Sequence, residues 1–174
     1  MKTDKITKII VISAFIAFMS IIIAQSFIQK RNDNNQIKFM ILNTYSNYAW
    51  GMTFNGSVIY DDGTIYTWNE TSQNKINQYN IGTVKGLKEY IVNEATKSNK
   101  KVNENDLNNL KKHIGTLKDD IKINYPGADQ GTTTISVITE NNEEIVLKKT
   151  GDSVGENKTY DSQAILEIVE KYFK

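Results

Sequence analysis

The 174-residue sequence predicts an α+β protein with a single N-terminal transmembrane helix followed by an antiparallel sheet and about three helices. Three observations predict this class. An unbroken apolar segment lies near the N-terminus, β-branched and aromatic runs alternate with turn dipeptides, and apolar residues recur every three or four positions in the middle and at the end. The sheet is expected as an N-terminal meander plus a C-terminal hairpin.

The apolar segment covers residues 9–28, IIVISAFIAFMSIIIAQSFI. A helix of about 20 apolar residues spans a bilayer, whereas a signal-peptide core is shorter. Lys2, Lys5 and Lys8 precede it, which favours a cytoplasmic N-terminus and an extracytoplasmic C-terminal domain. Residues 1–28 are therefore predicted as a cytoplasmic stub and a membrane anchor that contacts the lipid bilayer. The alternative is a signal peptide cleaved near Ser26, which would release a secreted protein.

Residues 29–36, QKRNDNNQ, are polar and predict a short tether before a single extracytoplasmic domain at residues 37–174. The chain has no cysteine, so disulfides, thiol catalysis and cysteine lipidation are excluded. The net charge is +1 with 24% charged residues, so no basic surface for nucleic acid is expected.

The strands are predicted from residue 37 onward. IKFMIL at 37–42 is apolar and branched, and the dipeptides Asn55-Gly56 and Asp62-Gly63 favour two-residue hairpin loops. With such loops Tyr60 would face Ile65. One face of this sheet is then expected to carry Trp50, Met52, Phe54, Ile59, Tyr66 and Trp68.

These aromatic residues allow two interpretations. Trp68 and Tyr66 are expected in the core, because the predicted helices need a sheet on which to pack. Tyr48 and Trp50 lie nearer a strand end, where exposed rings can stack on sugars or contact a partner.

The helices are predicted by apolar stripes. Val84, Leu87, Ile91, Val92 and Ala95 form the first stripe, and Leu107, Leu110, Ile114, Leu117 and Ile121 form the second. Asn103 and Asp106 resemble a capping box for the second helix. A last helix, capped by Thr159 or Asp161, carries Ala164, Ile165, Ile168, Val169 and Tyr172.

A second hairpin is predicted between residues 132–139 and 144–149, around Asn141-Asn142. A two-residue loop would place Glu140 opposite Glu143. Because like charges directly opposite are destabilising, a longer loop stays open as an alternative.

No pattern of catalytic or ligand-binding residues emerges. His113 is the single histidine and is expected to be solvated, since no second imidazole or thiol completes a metal site or triad. Asp119-Asp120 and Glu143-Glu144 are interpreted as surface acids. No catalytic residue, metal or cofactor is predicted.

Four segments carry a family resemblance. Ser46-Asn47-Tyr48-Ala49-Trp50-Gly51, Ile59 to Tyr66, Ile145-Val146-Leu147 and Gly151 to Asn157 resemble a pattern in small, membrane-anchored or exported α+β proteins of Gram-positive bacteria. The resemblance implies a fold and carries over no catalytic residue. Membership in that group of proteins would imply a partner or immunity role toward secreted toxins.

The leading functional hypothesis is a non-catalytic, membrane-anchored interaction domain, an accessory or immunity-type subunit that binds a protein outside the membrane. Its binding residues are predicted as Tyr45, Tyr48 and Trp50. Cell-wall or polysaccharide binding through exposed aromatics is the first alternative. The second is a carboxylate-dependent hydrolase, which would require two converging carboxyl groups of raised pKa in one cleft.

Overall fold

The computed structural model describes residues 38–49, 51–127 and 129–173. The described residues all belong to one compact unit, residues 37–174. The predicted anchor at 9–28, the tether at 29–36 and Trp50 lie outside the described residues. Within the described ranges, no helix combines the length and apolarity needed to cross a membrane.

The described residues form an α+β fold with one seven-stranded antiparallel sheet and four helices. The strands are β1 (Phe39–Asn47), β2 (Thr53–Tyr60), β3 (Thr64–Glu70), β4 (Thr96–Lys101), β5 (Thr132–Thr139), β6 (Glu144–Gly151) and β7 (Gly155–Glu156). The helices are α1 (Gln73–Tyr79), α2 (Val84–Glu94), α3 (Glu104–Ile114) and α4 (Tyr160–Val169). The order in the sheet is β4-β3-β2-β1-β5-β6-β7, so the meander β1-β2-β3 lies beside the hairpin β5-β6.

The prediction of a hairpin at Asn55-Gly56 is wrong, because β2 runs through both residues and the β1–β2 loop lies at residues 48–52. Gly56 has a packing role instead. A Cβ at this position would lie 2.7 Å from the Asn43 carbonyl oxygen and would overlap the Trp68 ring. Glycine at this position therefore leaves room for the Trp68 indole beside the neighbouring strand.

The turn at Asp62-Gly63 is confirmed, but its predicted register is wrong by one residue. Gly63 N donates to Tyr60 O at 2.8 Å, and Gly63 has a φ of +81°. The loop therefore has three residues, and Ile59 rather than Tyr60 faces Ile65. Because side chains alternate along a strand, this shift separates Ile59 from Trp68, and the continuity of β2 through Asn55-Gly56 separates Ile59 from Phe54.

One face of the sheet, called here the aromatic face, packs against α1 and α2. Its core consists of Met40, Leu42, Phe54, Val58, Trp68, Ile76, Leu87, Tyr90, Ile91 and Ile138. The Phe54 ring lies 5.5 Å from the Trp68 ring and 5.4 Å from the Tyr90 ring. Trp68 and its neighbours are core residues, and Tyr66 packs against them, as predicted.

The opposite face, called here the aliphatic face, packs against α3 and α4. Its core includes Ile41, Ile59, Ile65, Val137, Leu147, Leu110, Ile165 and Val169. Helices thus cover both faces, whereas the sequence analysis assigned one inward face. A sheet with two covered faces needs two sets of apolar side chains, and the alternate residues of β1 supply both.

The predicted helices around Val84 and Ile165 are confirmed, and Thr159 is the N-cap of α4. Asn103 caps α3, since its side chain accepts from Asp106 N. The prediction that this helix continues to Ile121 is wrong, because it ends at Ile114. The following segment leaves the helix axis, and Asn157 Nδ2 donates to the Lys118 carbonyl oxygen at 2.7 Å.

The second hairpin is confirmed with the longer loop. Asn142 N donates to Thr139 O at 3.0 Å, and Thr139 N donates to Glu143 O at 2.9 Å, so Glu140 does not face Glu143. The sequence analysis missed α1, β4 and β7. The β4 sequence, TKSNKK, has no apolar residue, so its strand arises from pairing with β3 rather than from its own pattern.

Candidate functional site

The predicted binding residues lie at one end of the sheet, which we call the open end. It comprises the β1–β2 loop, the segment that enters β5 and the β6–β7 turn, since Asn47 pairs with Thr53, Ser46 with Thr132, and Thr132 with Gly151. The hairpin end, with the loops at 61–63 and 140–142, lies opposite.

Tyr45 and Tyr48 differ in their surroundings. Tyr48 is 64% exposed. Tyr45 is half-buried, and its hydroxyl donates to the Gln130 carbonyl oxygen and accepts from Asn47 Nδ2, both at 3.3 Å. Tyr45 therefore supports the loop before β5, while Tyr48 presents its ring to solvent. Trp50, the third predicted residue, lies outside the described residues.

The Asp152 carboxylate also holds the loop before β5 in place. Asp152 accepts hydrogen bonds from Gln130 N at 2.9 Å and Gly131 N at 3.0 Å, and its own N–H donates to Gly131 O. Gly131 has a φ of +75°, and a Cβ there would lie 2.8 Å from the Tyr45 hydroxyl oxygen. Glycine at this position is therefore required by both backbone and space.

Exposed apolar side chains concentrate at the open end. Four large apolar side chains in the described residues are exposed: Tyr48 at 64%, Tyr125 at 78%, Val154 at 42% and Tyr160 at 79%. The Asn124–Val154 bridge, with two hydrogen bonds of 2.8 Å, brings Tyr125 next to Val154 at this end. Tyr48, Tyr125 and Val154 form what we call the open-end rim. The sequence analysis missed Tyr125 and Val154, because Tyr125-Pro126-Gly127 has the pattern of an ordinary turn.

The half of the aliphatic face nearer the open end carries polar side chains in place of the aliphatic core. We call these nine residues the polar floor: Asn43, Tyr45, Asn47, Thr53, Asn55, Ser57, Thr67, Asn69 and Thr133. On β1, β2 and β3 they occupy the alternate positions that continue from Ile41, Ile59 and Ile65. On β5 the buried core residue Ile135, which pairs with Asn43 and with Lys148 of β6, lies between Val137 and Thr133. None belongs to either core, and all are half-buried or exposed. The helices α3 and α4 thus pack on the aliphatic residues. In the polar floor Thr67 and Asn69 are exposed, and the other seven residues are half-buried.

The polar floor is uncharged but has free hydrogen-bonding capacity. Within the described part of the chain, the side chains of Asn43, Ser57 and Asn69 form no hydrogen bond with another protein group. Asn55 Oδ1 is buried and has no partner there. The nearest ion pair at its margin joins Lys148 Nζ to Glu170 Oε1 at 3.5 Å.

The comparisons with known proteins give no family. No protein-family model matches the sequence, no curated protein is significantly similar to it, and no solved structure matches its fold. The resemblance to exported Gram-positive proteins stays a prediction.

A groove of about 580 Å³ lies at the hairpin end. Apolar side chains including Phe39, Ile114 and Ile145 line it together with charges of both signs, among them Lys111 and Glu143. Lys38 N donates to Asp61 Oδ2 at 3.0 Å at its margin.

The described carboxyl groups with a shifted pKa do not form an acid–base pair. The pKa is lowered for each of the five described carboxyl groups in which it is displaced, namely Asp62, Glu70, Asp106, Glu156 and Asp161. A carboxylate hydrolase divides its roles between an ionised and a protonated carboxyl group, and the second requires a raised pKa. No observation therefore favours the hydrolase alternative.

The expectation that His113 is solvated is wrong. Its side chain is 12% exposed, and Nδ1 lies 2.8 Å from Asp161 Oδ1. The Tyr160 ring packs edge-on against the imidazole at 5.6 Å. The pair connects the last turn of α3 to the first turn of α4, so tertiary packing gives this histidine a structural partner. In the described residues no three His, Asp or Glu side chains cluster as metal ligands.

Proposed function

We propose that the protein is a non-catalytic, membrane-anchored interaction subunit whose extracytoplasmic domain binds a partner protein through the open-end rim. The observation that carries this proposal is the placement of exposed apolar groups. Three of the four large apolar side chains exposed in the described residues, Tyr48, Tyr125 and Val154, lie at one end of the sheet. Exposed apolar groups on one side of a domain offer apolar contact area to a partner protein.

Tyrosine is well suited to such a surface. Its ring buries a large area when a partner covers it, it loses few rotamers on binding, and its hydroxyl forms directional hydrogen bonds. Tyrosine is accordingly enriched among the residues that dominate interface affinity.

The loops behind the rim are held in place before any partner binds. Asp152 accepts two backbone N–H groups of the loop before β5, and Tyr45 donates to the carbonyl oxygen of Gln130. Ala49 N donates to Asn47 Oδ1 at 2.9 Å at the start of the loop that carries Tyr48. Loops that are already ordered lose less entropy on association, which favours affinity.

The test uses the full-length chain, immobilised through a C-terminal tag and incubated with detergent-solubilised membranes and secreted proteins of the native cell. Tyr48→Ser and Tyr125→Ser remove rim rings, and Tyr160→Ser is the matched control, because Tyr160 is 79% exposed but lies outside the rim. We expect a protein retained by the wild type and Tyr160→Ser to be lost from both rim variants. Retention that is equal on all four proteins, or the absence of any specific protein, would refute the proposal.

The anchor is the other part of this proposal. Residues 9–28 are apolar throughout most of their length, and lysines precede them. We expect the protein to remain with membranes after alkaline carbonate extraction, with the C-terminal domain accessible to protease only from outside. A mature N-terminus at Ser26 in the secreted fraction would instead establish cleavage.

Polysaccharide binding, the alternative from the sequence analysis, has separate support in the polar floor.

A further inference from the structure

We propose that the polar floor is a binding site for an uncharged polysaccharide chain. This ligand and this surface are distinct from the partner protein and the open-end rim. The first support is the amino-acid composition of the polar floor. Within a chain of which 24% of residues are charged, the nine polar-floor residues are asparagine, serine, threonine and tyrosine only. A merely solvated sheet face has no reason to avoid lysine and glutamate.

The absence of charge from these nine residues decides between ligand classes. Nucleic acids and acidic polymers bind through lysine and arginine, which neutralise their charges. Apolar ligands need an apolar surface, and the floor offers Tyr45 alone as a large ring. A neutral polymer rich in hydroxyl groups is the class whose charge and polarity complement the floor.

The hydrogen-bonding groups of the polar floor also match those of a sugar. A sugar hydroxyl both donates and accepts, and so does a carboxamide through its N–H₂ and C=O groups. The side chains of Asn43, Ser57 and Asn69 have this capacity unused within the described residues. Tyr45 adds a flat ring, on which the C–H groups of a sugar can stack.

The geometry favours an extended ligand that crosses the strands. Asn69, Asn55, Tyr45 and Thr133 lie side by side on four neighbouring strands, β3, β2, β1 and β5. At about 4.8 Å between strands, this row is roughly 14 Å long. Thr67, Ser57 and Asn43 form a second, parallel row two residues further along each strand.

An extended peptide is a weaker candidate for this surface. Peptides that bind sheets pair their backbone with the N–H and C=O groups of an edge strand, and a sheet face offers none of these. The edge strand β4 carries Lys97, Lys100 and Lys101. Its pairing with β3 is irregular between Thr64 and Tyr66 of β3. Both features are typical of edges that resist strand addition.

The test measures retardation of the full-length protein in detergent-containing native gels that hold one soluble polymer each. Dextran, a β-1,3-glucan, a galactomannan and the neutral polysaccharide fraction of the native cell wall are the probes, and polygalacturonate is the charged control. Asn69→Lys and Thr67→Lys place a charge at exposed floor positions where folding is not at risk. Asn74→Lys, at an exposed asparagine of α1, is the matched control.

We expect at least one neutral probe to retard the wild type and Asn74→Lys. In each floor variant we expect the dissociation constant for this probe to rise about fivefold or more, as is typical when hydrogen bonds are lost and a charge is buried. Tyr48→Ser should still bind the polymer, which separates this site from the rim. No retardation by any neutral probe, or equal retardation of Asn69→Lys and wild type, would overturn the proposal. Loss of the partner protein from Asn69→Lys without polysaccharide binding would assign the floor to the protein interface.

Discussion

The Tyr172 hydroxyl donates a 2.7 Å hydrogen bond to Oδ2 of Asp106, which lies 66 residues earlier in the chain. Asn103 Nδ2 donates to the same carboxylate oxygen at 3.0 Å, and Lys171 Nζ lies 3.5 Å from Oδ1. The chain that follows α4 is thereby attached to the first turn of α3. The Tyr172 hydrogen bond is also the main reason that the pKa of Asp106 is lowered.

The first prediction concerns this hydrogen bond. Tyr172→Phe keeps the ring and removes the donor, so we expect a loss of about 1.5–3 kcal/mol in the free energy of unfolding at neutral pH, typical of a hydrogen bond to a charged group. A lowered carboxyl pKa stabilises the fold above the ordinary value of 3.8 and loses this effect as the pH falls through the folded-state pKa.

The difference between Tyr172→Phe and wild type should therefore shrink as the pH falls below the ordinary value. Urea unfolding followed by circular dichroism at neutral and acid pH measures it. A difference that is independent of pH would show that the hydroxyl does not act through the Asp106 carboxylate.

The second prediction concerns Gly56. In Gly56→Ala the added methyl group would overlap the Trp68 ring and lie 2.7 Å from Asn43 O. Overpacking of this kind costs about 1–3 kcal/mol, so we expect a lower urea midpoint and altered near-UV circular dichroism. Gly82→Ala is the control, because a Cβ there has no atom within 4 Å. Equal stability of the two variants would contradict the packing role of Gly56.

The third prediction concerns His113 and Asp161. The hydrogen bond from His113 is the main cause that lowers the pKa of Asp161. In His113→Ala we expect this pKa, followed by carboxyl ¹³C NMR, to rise toward 3.8, while the hydrogen bond from the Thr116 side chain and the Lys112 charge keep part of the shift. Lys112→Ala, which removes a more weakly acting charge, should change it less. The stability that the lowered pKa supplies is present above the ordinary value and is lost as the pH falls.

The fourth prediction concerns the edge strand β4. Replacement of Lys97, Lys100 and Lys101 by isoleucine would leave an apolar edge, which is a template for pairing with another chain. We expect concentration-dependent association of the full-length protein in a fixed detergent, measured by light scattering. The triple glutamate variant should stay at the mass of the wild type. Identical masses for the isoleucine variant and wild type at all concentrations would contradict a protective role of the lysines.

Local patterns were sufficient for most of the secondary structure. The apolar stripes of α2 and α4, the caps at Asn103 and Thr159, and the turns at Asp62-Gly63 and Asn141-Asn142 each depend on a few neighbouring residues. The α+β class and the core position of Trp68 follow from such patterns. So does the expectation that Tyr48, at a strand end, presents its ring to solvent.

The features that the local patterns did not predict depended on contacts between residues far apart in the chain. Asn55-Gly56 has the local preference of a hairpin, yet the strand continues because Gly56 accommodates Trp68 and pairs with Thr44. His113 looks solvated from its lysine neighbours and is instead enclosed by Asp161 and Tyr160, 48 and 47 positions further on. Neither partner can be identified from spacing along the chain.

By itself the sequence determined the helices α2 and α4, the caps at Asn103 and Thr159, the turns at Asp62-Gly63 and Asn141-Asn142 and the apolar segment at residues 9–28, because periodicity, capping and turn chemistry act over a few residues. The tertiary structure alone decided that helices cover both faces of the sheet, and that Tyr125 and Val154 join Tyr48 at one end. It also decided that nine uncharged polar side chains share one surface. Those features arise from strand order and register, which are set by packing between residues far apart in the chain.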